Sequence, residues 1–138
     1  MEGRIKWVEG RRFVASSQSG HAIIIDGPKS AGGDNLGPSP MEIVLLGAGG
    51  CSTFDVIEIL KKSRQDVRDC ELVMNADRAD EAPRVFTKIS MHFIVTGREL
   101  NAKAVQRAID LSREKYCSAT AMLGRTAEIA CSFEIVEI

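Results

Sequence analysis

The chain has 138 residues, 44% hydrophobic and 27% charged, which is enough for one packed core and excludes disordered and collagen-like classes. With 18 Lys plus Arg against 19 Asp plus Glu, the formal charge is -1, so there is no net basic field for phosphates and no nucleic-acid partner is expected. Met1 to Lys6 has no apolar signal-peptide core, and no run reaches the roughly 18 apolar residues of a spanning helix; the expectation is a single domain over residues 1–138, cytoplasmic, with no membrane partner.

In chain order, Arg4 to Val8, Arg12 to Ser16 and His21 to Asp26 read as short strands. Glu9-Gly10 and Gln18-Ser19-Gly20 suit the tight turns of an antiparallel meander. The stretch from Gly27 to Pro38 is too rich in breakers for regular structure and reads as a loop. Ser39-Pro40-Met41-Glu42 is a helix start, with Ser at the N-cap, Pro at the first helical position and Glu closing a capping box. The helix should run to about Ser63, and its first half is apolar or small nearly all round, as a central helix would be. Gly47, Gly49 and Gly50 each cost about 1 kcal/mol there, and close approach of another backbone is the expected compensation.

Period-two alternation then predicts a hairpin. Cys70, Leu72, Met74 and Ala76 share one face of its first strand, and Val85, Thr87, Ile89, Met91, Phe93 and Val95 one face of its second. Asp80-Glu81-Ala82-Pro83 forms the turn between them. Asn101 caps a helix over Ala102 to about Tyr116, whose apolar stripe is Val105, Ala108, Ile109, Leu111 and Ser112. Cys117 ends it, a helical turn covers Ala119 to Leu123, and Ala127, Ile129, Cys131, Phe133 and Ile135 line a last strand. The order β-β-β-α-β-β-α-β is α+β.

Ile43 to Ser52 also fits a buried strand feeding a G-x-G-x-x-S turn, the outline of a dinucleotide site, with Glu71 at a suitable distance. Three features count against it. The capping box starts a helix where that reading needs a strand, the third glycine position is Ser52, and the next segments form a hairpin instead of parallel strands.

Cys51, Cys70, Cys117 and Cys131 include no C-x-x-C pair, and His21 and His92 lie far from all of them, so zinc-module spacing is absent and no metal is expected. Reduced thiols are the default for a chain with a real core. Both histidines sit on strands beside apolar residues and read as structural, and Arg11-Arg12 reads as a solvated turn. Cys70 and Cys131 alternate with polar neighbours and read as core. Cys117, between two helical segments with Arg113 and Lys115 nearby, is placed where backbone N–H groups and a helix dipole favour thiolate.

Gly37-Pro38-Ser39-Pro40-Met41-Glu42, Gly49-Gly50-Cys51-Ser52, Asp55-Val56-Ile57-Glu58-Ile59-Leu60 and Glu114-Lys115-Tyr116-Cys117-Ser118 closely resemble the OsmC/Ohr family, particularly its YhfA-like branch. Lys6-Trp7-Val8-Glu9-Gly10, Arg64-Gln65-Asp66-Val67 and His92 to Arg98 extend the likeness over nearly the whole chain. The resemblance implies an intertwined homodimer, two antiparallel sheets wrapped around long central helices. It also implies an organic hydroperoxide reductase of oxidative-stress defence in which Cys51 attacks the peroxide and Cys117 resolves the sulfenic acid as a disulfide. No cofactor is implied, and the thiols are restored by an external dithiol, which in the family can be a lipoylated protein.

The family's peroxidases add a carboxylate after the shared proline and an arginine from the N-terminal strands. Counting from Cys51 back to Pro40, that carboxylate position falls on Met41, with Glu42 one place later, a turn of about 100° around the helix. Glu42 is thus a supporting candidate as well as a cap, and Arg4, Arg11 and Arg12 are the candidate arginines. The rival reading is a non-catalytic dimer that binds a small hydrophobic or electrophilic ligand in the same interface crevice.

Overall fold

Gly10 and Gly20 both take positive φ, 53° and 89°, where a side chain would be strained, and so make the two turns their neighbours predict. They join β1 (Gly3–Glu9), β2 (Arg12–Ser17) and β3 (Ala22–Ile25) into an antiparallel meander, with Ile5 opposite Ala15 and Val14 opposite Ile24. The computed structural model describes residues 1–138, and the chain falls into two compact units, Met1–Leu46 and Gly47–Ile138.

The loop after β3 is organised by one side chain that the sequence pattern does not single out. Asp26, only 2% exposed, accepts the N–H of Gly27 at 2.7 Å, of Leu36 at 3.3 Å and of Asp34 at 3.4 Å. Arg12 Nε faces it at 3.6 Å, while the other guanidinium nitrogens bond Glu9 (3.1 Å) and Asp34 (2.7 Å). Arg12 is therefore a half-buried, ion-paired side chain, which corrects the reading of Arg11-Arg12 as a solvated turn. Only Arg11 is exposed, with its chain laid beside Gly27 and Gly32.

The N–H of Gly27, first, and those of Leu36 and Asp34, together with the Arg12 charge, hold the Asp26 carboxyl below the usual carboxylate range despite its burial. A lowered folded-state pKa contributes stability that is present above the unfolded value, about pH 4, and is lost as pH falls through the folded value. Urea midpoints measured from pH 5 down to pH 2.5 should therefore fall more steeply for the wild type than for Asp26→Asn. Parallel curves would remove Asp26 from the acid response.

α1 (Pro40–Lys62) begins at the capping box: Ser39 N–H donates to Glu42 Oε1 at 3.0 Å and Glu42 N–H donates to Ser39 Oγ at 3.4 Å. By length and composition α1 is long and apolar enough to cross a membrane, which corrects the expectation that no run is, because the glycine, serine and threonine that interrupt its apolar residues lower the average only a little. Its buried residues, Ala48, Gly49, Ser52, Val56 and Leu60, all lie in the second unit and pack against protein there.

The second unit continues through β4 (Asp66–Arg78), β5 (Phe86–Arg98), α2 (Ala102–Leu111), a π-helical turn (Ser112–Tyr116), α3 (Ser118–Leu123) and β6 (Glu128–Glu137). β5 is the central strand, and its Ile89, Met91, Phe93 and Val95 are buried, as are Val56 and Leu60 of α1 and Val105, Ala108 and Ile109 of α2, which together make up the core. The class is α+β, as the element order predicts, and the strands form two three-stranded sheets. One detail of the expected pair of antiparallel sheets is corrected: β4 pairs antiparallel with β5, but β6 pairs parallel with it, Phe93 opposite Phe133. The helical crossover from Asn101 to Ala127 returns the chain to the starting end of β5, which a tight hairpin cannot do. A second correction follows from a bulge. The register slips between Asp77 and Arg78, so Phe86 is buried and Thr87 exposed, the reverse of the alternation read through Val85 and Thr87.

The glycines of α1 also differ from expectation. A Cβ at Gly49 would overlap the thioether of Met74 and crowd Leu72, so the compensation for Gly49 is side chains of β4, not another backbone. Gly47 and Gly50 face open space in the chain.

Candidate functional site

The helix pitch places Cys51 and Asp55, four residues apart on α1, on one face. The turn after α2 brings Cys117 to them. Cys117 N–H donates to Ser112 O at 2.8 Å, the i to i−5 bond of a π turn, and the widened turn ends with Cys117 at the N-cap of α3. The two sulfurs and a carboxylate oxygen of Asp55 all lie within 4.8 Å of one another. Cys117 is 2% exposed and Cys51 is half-buried, so Cys51 is the sulfur a small molecule reaches first.

The polar groups beneath the thiols form a chain. Ser112 Oγ, fully buried, is 3.0 Å from Asp55 Oδ2, 3.2 Å from Ser52 Oγ and 3.4 Å from Ser52 O. A hydroxyl has one proton, and the shorter, charge-assisted bond to the carboxylate is the stronger. Ser112 therefore donates to Asp55, and Ser52 donates to Ser112. Asp55, Ser52 and Ser112 are functional-site residues that the sequence reading missed. The signals were present: an acid four residues from Cys51 in an apolar helix, and a serine inside the apolar stripe of α2.

Burial, first, pushes the Cys117 thiol up, and the adjacent Cys51 sulfur adds to this; the Thr120 hydroxyl and the Thr120 N–H, which donates to Sγ at 3.4 Å, oppose it. Burial thus outweighs the helix-start contribution, and Cys117 is held as a thiol, contrary to the expectation of a favoured thiolate. Arg113 and Lys115 are exposed, with Lys115 Nζ 5.3 Å from the Tyr116 ring centroid.

The other two cysteines stand apart. Burial and then Asp69 push Cys70 up to about 11, and burial raises Cys131 as well. Cys70 sits opposite Val95 and Cys131 opposite Met91 on either side of β5. That offset separates them by about 13 Å along the strand and about 10 Å across it. No disulfide spans such a gap.

The supporting candidates of the sequence, Glu42, Arg4, Arg11 and Arg12, lie in the first unit. Glu42 is engaged in the capping box, and the Ser39 backbone N–H holds its carboxyl below the ordinary range. Arg12 is held by the three carboxylates described above, and Arg4 and Arg11 have no carboxylate partner. His21 Nδ1 lies 3.1 Å from Ser19 Oγ and His92 Nδ1 2.7 Å from Ser132 Oγ. A cavity of about 380 Å³ between the second half of α1 and α2 has Asp55, Glu58, Lys62, Arg107, Leu111 and Tyr116 in its wall.

Residues 32–132 match the family model for OsmC-like protein. The chain is 55% identical over 136 residues to protein YhfA of Escherichia coli K12, covering 99% of this chain and 98% of that one. It is similar to a hypothetical protein from Aquifex aeolicus VF5, with 29% identity, a TM-score of 0.87 and coverage of 99% of this chain and 96% of the other. It also shares its fold with an organic hydroperoxide resistance protein from Legionella pneumophila, at 15% identity and a TM-score of 0.74, covering 97% of both chains.

Proposed function

The chain belongs to the OsmC-like protein family, and from that premise we propose that it reduces organic hydroperoxides through Cys51 and Cys117 as a cytoplasmic homodimer. The observation that carries the reading is the pair of neighbouring sulfurs, one reachable and one buried, with the Asp55 carboxylate within 4.8 Å of both. The Cys51 thiolate attacks the distal peroxide oxygen, the O–O bond breaks, and the alcohol leaves with a proton. Cys117 then attacks the Cys51 sulfenic acid, releasing water and closing the S–S bond, with Asp55 on hand to take the Cys117 proton. An external dithiol, such as a lipoylated protein, exchanges with the disulfide and returns both thiols.

An activating arginine fits the same scheme. Arg12 is already held by carboxylates, which leaves Arg4 and Arg11 as the unpaired guanidiniums for that role. The dimer is supported by α1, which exposes Phe54 (71%) and the bare backbone of Gly47 and Gly50.

The test is one equivalent of an alkyl hydroperoxide added to the reduced protein, followed by stopped-flow thiol consumption and peptide mapping. A Cys51–Cys117 linkage formed at the rate of peroxide loss is the expected result. No thiol loss would favour the ligand-binding dimer in its place, and linkage through Cys70 or Cys131 would remove the assignment.

A further inference from the structure

Sequence spacing argued against a metal because no two cysteines lie close together along the chain. Folding changes the count. Cys51 and Asp55 stand one helical turn apart on α1, the i, i+4 spacing by which a helix presents two ligands to one ion, and the N-cap of α3 adds Cys117. Two sulfurs on one tetrahedral zinc ion at about 2.3 Å lie roughly 3.8 Å apart, so ligand atoms already within 4.8 Å close on an ion by shifts of about an ångström or less.

Two further observations point the same way. Ser112 Oγ, fully buried, donates to Asp55 Oδ2 and is itself steadied by Ser52, the outer hydrogen bond that orients a ligating carboxylate. Asp55 also lines the cavity of about 380 Å³, whose wall sets Glu58 beside Lys62 and Arg107, so the carboxylate of the cluster is reachable from solvent. No lysine, arginine or histidine pairs with Asp55, so an ion meets no resident competitor for its charge.

We propose that the reduced protein binds a thiophilic divalent cation, zinc by its preference for sulfur, through Cys51, Cys117 and Asp55, with the fourth position left to water. The same two sulfurs cannot hold an ion and a disulfide at once, so the ion occupies the reduced state alone. This goes beyond the peroxidase reading and does not require it.

Cobalt(II) is the probe, titrated without oxygen into the reduced full-length protein. One equivalent per chain should produce a thiolate-to-cobalt charge-transfer band in the near ultraviolet and the intense visible bands of tetrahedral cobalt, and zinc should bleach both. Ser112→Ala, which removes the outer hydrogen bond, should weaken binding about 10- to 100-fold. Cys117→Ser should lose roughly half the charge-transfer intensity, Cys70→Ser should bind as the wild type, and protein oxidised with diamide should bind none. Circular dichroism on each variant separates lost binding from lost fold. The proposal is overturned if the bands do not appear, or if they survive both diamide and Cys51→Ser. Because cobalt binding and hydroperoxide consumption are read separately, either can fail while the other stands.

Discussion

Cys51→Ser is expected to lower hydroperoxide consumption by more than about a thousandfold, because it removes the atom on which the covalent step takes place. Cys117→Ser should behave differently. Cys51 stays reachable in that variant, so one equivalent of peroxide is consumed and the reaction stops at the Cys51 sulfenic acid, trapped by dimedone and seen as a mass increment on the α1 peptide. The asymmetry follows from burial, which leaves Cys51 half-exposed and Cys117 at 2%. The same burial pushes the Cys117 thiol up, which adds to the asymmetry. Dimedone labelling of Cys117 in Cys51→Ser at the rate seen for Cys51 would reverse the two roles. Cys70→Ser and Cys131→Ser should change neither rate, since those sulfurs are pushed up by burial and lie on strands flanking β5.

How much of this could be read from the sequence depends on whether the information is local. The start of α1 was legible because a capping box is a contract between residues three apart, Ser39 and Glu42, and the structure contains both of its bonds. The buried face of β5 was legible from Ile89 onward because alternation is local too. The direction of β6 was not, since Ile129, Cys131 and Phe133 alternate identically whether the strand runs parallel or antiparallel to β5. Nor was the π turn: Arg113 to Tyr116 continue the helical pattern of α2, and only the Cys117 N–H to Ser112 O bond reveals the extra residue. Without that turn the periodicity gives no reason for Cys117 to meet Cys51. The pair was readable only through family resemblance, while the roles of Asp55, which stands in a matched stretch without an assigned role, and of Ser112 emerged from distances alone. Asp26 is the same lesson in the first unit. An acid at the end of a strand looks solvated until the chain returns Asp34 and Leu36 to it.

The largest structural effect is expected from two leucine substitutions one residue apart. Gly49→Leu places a side chain where Met74 and Leu72 already lie, and overpacking of this kind costs about 1 to 3 kcal/mol. It should lower the urea midpoint of the protein while any dimer persists at high concentration. Gly50→Leu meets nothing within 4 Å in the chain. If that face were free in solution, replacing glycine in a helix would stabilise α1 by somewhat under 1 kcal/mol. Gly47, Gly50 and Phe54 recur at spacings of three and four, however, so they share one face, and the side chain that face does carry is 71% exposed. A bare backbone stripe ending in a solvent-facing phenylalanine is what a second copy of the helix would cover. Gly50→Leu should therefore convert a dimer into a folded monomer in sedimentation velocity, with far-ultraviolet circular dichroism unchanged. A dimer that withstands Gly50→Leu and gains stability would show that α1 faces water there and that subunits, if they associate, do so elsewhere.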